Sequence, residues 1–254
     1  MLNFRRAGGG RQVLVLQHGF VGGSGYWAPV MAHLEPYFDI IAPDLPGFAG
    51  SGHIPAPDGI EGLSAALLEL LDALEVERFA LVGHSMGGFV AQQLALDHPE
   101  RVSRLVLYGT AAGGDLSGRF ETIEESVLRL EQDGIAATAE RIAATWFVQG
   151  RAAAFFPLCA ESGRGASHEA AITCLRALAT FDVRARLGEI AMPTLVIGGD
   201  RDRSIALAQL IQLRDGIRGA ELCVAPNCAH NVHLEKPDLF NRVLGEFLLA
   251  DAPR

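Results

Sequence analysis

Cysteine is scarce: Cys159, Cys174, Cys223 and Cys228 are the four in 254 residues. They show neither metal-ligand spacing nor the density of a disulfide scaffold, so reduced and mostly buried thiols are expected. No stretch reaches the roughly 18 apolar residues needed to span a bilayer. Met1-Leu2-Asn3-Phe4-Arg5-Arg6 is followed by no apolar core of signal-peptide length, which makes a soluble cytoplasmic protein, away from the membrane, the expectation. Positive charge is also short, with 21 Lys and Arg against 30 Asp and Glu, a net charge of -9 and no basic cluster. That balance argues against nucleic acid as a partner. Neither an internal repeat nor a low-complexity tract is present.

Apolar residues are plentiful. At 49% hydrophobic and 20% charged the chain can bury a large core, in one or two domains by length alone. Runs such as Val13 to Leu16 and Leu195 to Ile197 are continuously apolar and do not alternate, as expected for parallel strands covered by helices on both faces. Strands are predicted at about 3–6, 12–17, 38–42, 78–83, 103–109, 193–198 and 220–225, and helices at about 26–35, 60–75, 86–97, 204–216 and 237–249.

Gly83-His84-Ser85-Met86-Gly87 lies between the apolar run Phe79 to Val82 and the helical stretch Phe89 to Leu96, so Ser85 falls where a strand turns into a helix. Such a turn strains its central residue and brings neighbouring chain close, which is why glycine flanks it on both sides. The helix start directs free N–H groups and the positive end of its dipole toward any negative charge developing there. By itself Gly-x-Ser-x-Gly is weak, since a tight turn alone also accounts for it. A serine nucleophile further needs a base and an acid that orients the base. Pro193 to Ile197 runs into Gly198-Gly199-Asp200-Arg201-Asp202, and Leu222 to Pro226 precedes Asn227-Cys228-Ala229-His230. Serine, aspartate and histidine thus follow in order, each just after a strand, where the loops of a parallel sheet converge.

The chain resembles the α/β-hydrolases, and the matching motifs span it almost end to end. Gln12 to Phe20 resembles the family's strand and His-Gly turn, and Asp44-Leu45-Pro46-Gly47-Phe48-Ala49-Gly50-Ser51 its Asp-x-x-Gly-x-x-x-Ser loop. His98-Pro99-Glu100-Arg101-Val102 before Leu105 to Tyr108, and His230 with Glu235 and Pro237, complete the series. The ordered motifs favour one domain. The resemblance implies an α/β fold with a mostly parallel central sheet flanked by helices, and the short N-terminal region implies loss of the first of the usual eight strands. It implies a catalytic triad of Ser85, Asp202 and His230, with an oxyanion hole made by the N–H groups of Phe20 and Met86. Asp202 fits the family's Gly-x-x-Asp spacing from Gly199, whereas Asp200 is expected to cap the turn. His230 precedes the Glu-x-Pro step and is preferred to His233. His18 and His84 are expected to shape the site, and Asp44 to stabilise a turn. No metal or organic cofactor is implied.

Residues 111–182 lack strand-turn patterning, and Glu121 to Leu130, Ile135 to Phe147 and His168 to Leu178 carry helical spacing. They read as a helical lid inserted after the sixth strand position, hinged at Ala111 to Asp115, leaving 1–110 and 183–254 as the core. Trp146 and Phe147 are the first candidates for an apolar substrate pocket, with Phe155, Phe156, Leu158 and Phe181 behind them. One of the lid arginines, which include Arg119, could meet a substrate carboxylate through a bidentate contact, but such residues are more often solvated helix-face charges and none is assigned to binding. The expected reaction is hydrolysis of a small carboxylic ester or lactone. Three alternatives remain: a carbon–carbon bond hydrolase of ring-cleavage products, a menaquinone-pathway synthase-like lyase, and a non-turnover receptor of the same fold. The lyase pattern has arginine after the elbow glycines, where this chain has Phe89.

Overall fold

The computed structural model describes residues 1–250. Seven strands, β1 (Phe4–Ala7), β2 (Gln12–Gln17), β3 (Phe38–Pro43), β4 (Phe79–His84), β5 (Val102–Tyr108), β6 (Thr194–Gly199) and β7 (Glu221–Ala225), form one sheet in the order β1-β3-β2-β4-β5-β6-β7. β1 runs antiparallel to β3 and every other pair is parallel. The helices are α1 (Ala28–Leu34), α2 (Gly59–Ala73), α3 (Met86–Asp97), α4 (Ile123–Thr145), α5 (Phe156–Arg164), α6 (His168–Thr180), α7 (Leu207–Gly216), α8 (Val232–Glu235) and α9 (Pro237–Leu249). Among the described residues no helix is long and apolar enough to cross a membrane.

Both faces of the sheet are covered, which explains the unbroken apolar strands. Successive side chains of a strand point to opposite faces. Leu14 and Leu16 therefore pack with Trp27, Leu34, Phe240 and Leu244 on the α1 and α9 side. Val15 packs instead with Leu63, Leu67, Phe89 and Leu94 on the α2 and α3 side. A polar residue in either set would be buried without a partner.

The strand order fixes where a site can form. From β2 the chain passes to β3 on one side, and it later returns to β4 on the other. The loops leaving β2 and β4, strands aligned with Gln17 beside Gly83, therefore diverge at a topological switch point and leave a crevice between them.

Between β5 and β6 the chain makes a helical insertion. Its two ends are tied together: Gly114 N–H donates to Phe181 C=O (2.8 Å), Val183 N–H to Ala112 C=O (2.9 Å), and Arg184 pairs with both Asp115 and Asp182. Helix α4 starts with a capping box in which Thr122 and Glu125 bond each other's backbone N–H. It is interrupted at Gly134 (φ 76°), so its two halves correspond to the two stretches that the sequence suggests. Helix α5 lies outside the stretches that carry helical spacing; it is nine residues long and includes Pro157 and Gly163.

Candidate active site

Ser85 has φ 54° and ψ −122°, a region costing a non-glycine residue about 1–3 kcal/mol. The surroundings hold it there: Ser85 N–H donates to Tyr108 C=O and Gly88 N–H to Ser85 C=O, both at 2.8 Å. Close approach from the β2 side accompanies the strain. A Cβ on Gly87 would lie 2.5 Å from the carbonyl oxygens of Gln17 and His18, and one on Gly19 would lie 2.7 Å from Ser85 Cβ. Glycine at these two positions lets the His18-Gly19-Phe20 turn lie against the elbow. Met86 opens helix α3, and neither its N–H nor that of Phe20 has an acceptor among the described residues. Two unpaired donors thus accompany Ser85 at the positive end of a helix.

The imidazoles near the elbow are held by partners that also define their tautomers. His18 Nε2 accepts from Leu45 N–H (2.9 Å), which leaves Nδ1–H to donate to Gly19 C=O (2.8 Å). His84 Nε2–H donates to His230 C=O (3.2 Å), so Nδ1 accepts from the Tyr26 hydroxyl (3.0 Å), which itself accepts from Gly19 N–H (3.0 Å). One tyrosine hydroxyl therefore connects the His18-Gly19-Phe20 turn, the elbow and the His230 loop. Burial pushes the pKa of His18 down and those of His84 and His233 well down, the last to about 3. All three are neutral at pH 7. His233 Nδ1 accepts from the Tyr108 hydroxyl (3.0 Å), which accepts from His233 N–H (3.2 Å).

Asp202 and His230 meet as a buried pair. His230 Nδ1–H donates to Asp202 Oδ2 at 2.7 Å, and both side chains are 1% exposed. The other carboxylate oxygen accepts from Ser204 N–H (2.7 Å) and Ile205 N–H (3.1 Å), which fixes the acid against the ring. His230 Nε2 is buried and has no hydrogen-bond partner among the described residues, Ser85 Oγ included. Asp200 points elsewhere: Oδ1 accepts from Cys228 N–H (3.1 Å), and the N–H groups of Asn227 and Cys228 lower its pKa. Asp44 accepts from Ser24 N–H, Gly50 N–H and Asn3 Nδ2 and so organises its turn. Glu235 gives the Glu-x-Pro step a physical role, because it accepts from Ala229 N–H (2.6 Å) and from Val148 N–H (2.7 Å) of the insertion, pinning the His230 loop to both.

Ser85, Phe20 and Met86 line a narrow cavity of about 30 Å³, together with Trp146, Ile142, Leu175 and Leu178 of the insertion. Phe147 departs from its expected place: it is buried but does not line the cavity, and neither do Phe155, Phe156, Leu158 and Phe181. Phe181 packs edge-on against Phe89, with 5.1 Å between ring centroids. Arg119 departs in the opposite sense, since it is half-buried and lines the cavity instead of standing in solvent. Leu116, Phe120, Phe89, Ser204 and Ile205 are further lining residues that sequence reasoning misses, as it misses Tyr26 and Tyr108 as supports. Helical periodicity marks buried positions; it carries no signal for which of them face a gap between segments distant in sequence.

The family model described as the alpha/beta hydrolase fold matches residues 12–237. The protein named "Putative carbamate hydrolase RutD" of Agrobacterium fabrum is 32% identical over 252 residues, covering 93% of this chain and 92% of its own. The 2-hydroxy-6-oxo-6-phenylhexa-2,4-dienoate hydrolase of Comamonas testosteroni is 31% identical, over 98% of this chain and 91% of its own. Among solved structures, the enol-lactonase of Burkholderia xenovorans superposes with a TM-score of 0.88 at 28% identity, over 98% of this chain and 96% of that one. Matched over most of its length by this model and by relatives named as hydrolases, the chain belongs to the α/β-hydrolase fold family and is a hydrolase.

Proposed function

We propose that the chain hydrolyses a small carboxylic ester or lactone by acyl transfer through Ser85. The observation that carries this reading is the buried Asp202–His230 pair, whose ring leaves Nε2 unpartnered in the loop that His84 ties to the strained elbow. Asp202 holds the proton on Nδ1, so Nε2 is the basic nitrogen and takes the Ser85 hydroxyl proton as Oγ attacks the carbonyl. The Phe20 and Met86 N–H groups stabilise the resulting oxyanion, at about 2.7–4 kcal/mol per donor in comparable sites. His230 then returns the proton to the leaving alkoxide, and the acyl–Ser85 ester forms. Water deprotonated by His230 attacks that ester, the acid leaves, and Ser85 regains its proton.

In this reading the insertion between β5 and β6 is the lid over the site, and Trp146 is a wall of the acyl pocket. A cavity of about 30 Å³ holds little more than a water, so the lid side chains move aside when substrate enters. A carbon–carbon bond hydrolase is the second reading, favoured by the Comamonas relative's printed activity. The experiment that separates them is a panel of p-nitrophenyl esters, lactones and vinylogous diketones, run on wild type and on Ser85→Ala. Ester or lactone turnover that falls by on the order of 10⁶ in Ser85→Ala supports the proposal. Diketone cleavage without ester or lactone turnover would select the second reading, and Ser85→Ala activity within tenfold of wild type would remove Ser85 as the nucleophile.

A further inference from the structure

We propose that Arg119 receives a carboxylate of the substrate, so that the ester or lactone hydrolysed at Ser85 carries a second, anionic group away from its scissile carbonyl. This inference rests on the Ser85 reading above and names its substrate class. Arg119 is the one charged side chain among the described residues that line the cavity at Ser85. Its guanidinium is held in place on one edge: Nη1 donates to Glu121 C=O (2.7 Å), to Thr122 C=O (3.2 Å) and to Ser126 Oγ (2.9 Å), and Cζ lies 4.4 Å from the Phe120 ring centroid. The Nε and Nη2 donors have no acceptor among the described residues.

The nearby carboxylate that would ordinarily satisfy them is committed elsewhere. Glu121 accepts from Arg141 (2.5 Å) and from the Ser126 hydroxyl (2.5 Å), and pairs with Arg129 at 3.4 Å. Burial lowers the Arg119 pKa to about 10, which leaves the group charged at neutral pH. An oriented guanidinium with a free Nε–H and Nη2–H edge matches the two oxygens of a carboxylate. Leu116 and Arg119 also line an adjoining groove of about 420 Å³, whose other lining residues include Asp115, Glu121 and Glu124.

The test compares kcat/KM within two matched pairs: p-nitrophenyl butyrate against mono-p-nitrophenyl glutarate, and phenyl acetate against 4-carboxyphenyl acetate. The pairs place the anion on the acyl side or on the leaving group. Wild type is expected to prefer the anionic member of one pair by about 10- to 100-fold, the range that hydrogen bonds to a charged group supply. Arg119→Gln is expected to bring that ratio to about 1, and Arg119→Lys to retain part of it. A wild-type ratio near 1 in both pairs, which needs no variant to fold, would overturn the proposal while leaving ester hydrolysis intact; so would a preference that survives in Arg119→Gln. Calorimetry with glutarate on wild type and Arg119→Gln reads the same contact without turnover. Binding weakened about tenfold in the variant, with neither ester nor lactone hydrolysed, would keep Arg119 and reject the ester or lactone reading; equal binding would reject the role of Arg119.

Discussion

Asp200 and Asp202 leave the same strand end, yet their carboxylates meet different groups. Asp202 accepts from the His230 ring and from two backbone N–H groups, whereas Asp200 caps the turn at Cys228. Removing the charge from Asp202 while keeping its shape leaves His230 free to take the wrong tautomer. Asp202→Asn should therefore lower kcat by about 10⁴, and Asp200→Asn should change it far less; steady-state kinetics on the two variants would show the reverse order if the acid is misassigned. The preference for Asp202 over Asp200 is legible in the sequence through its resemblance to the family's Gly-x-x-Asp spacing, counted from Gly199. The support given by Tyr26 is not, because a buried hydroxyl that joins Gly19 to His84 has no spacing signature.

At the scale of elements, the parallel strands are legible because helices bury both of their faces and leave every position apolar. The antiparallel direction of β1 is not, since four residues with partly exposed side chains carry no directional pattern. The insertion shows the same limit. Most of its helical content follows from periodicity, yet Trp146 is the C-cap of α4 and Phe147 follows outside the helix, so helical periodicity does not fix which way either side chain points. Trp146 lines the cavity and Phe147 packs into the core. Trp146→Ala should shift the ratio of kcat/KM for long and short acyl esters by about tenfold or more, since each methylene recognised in an apolar pocket gives roughly 1–3 kcal/mol of discrimination. Phe147→Ala should leave that ratio in place and cost about 3–5 kcal/mol of stability. An acyl-chain profile that moves with Phe147 and not with Trp146 would invert the assignment.

For the whole molecule, the buried histidines set the acid limit of the fold. His18, His84 and His233 are almost fully buried, and burial holds each folded pKa below the ordinary value of 6.5. As pH falls through 6.5 the unfolded chain binds protons that the folded chain refuses. Stability present above that pH is then lost at up to about 1.4 kcal/mol per pH unit for each such group, and for His233 the loss continues toward pH 3. Thermal denaturation should show Tm falling steadily from about pH 7 to about pH 5; a flat Tm across that interval would mean that these rings take up protons in the folded state.

Whether Ser85 is a nucleophile activated by the Asp202–His230 pair is decided by its reaction with a fluorophosphonate, followed by intact and peptide mass spectrometry. Such a probe needs an activated serine and an oxyanion site but no knowledge of the natural substrate. One phosphonyl group per chain is expected, on Ser85, with labelling slowed by about 10³ or more in His230→Ala. A folded wild-type protein that takes up no label, or takes it on a residue other than Ser85, would contradict the assignment of Ser85 as the nucleophile.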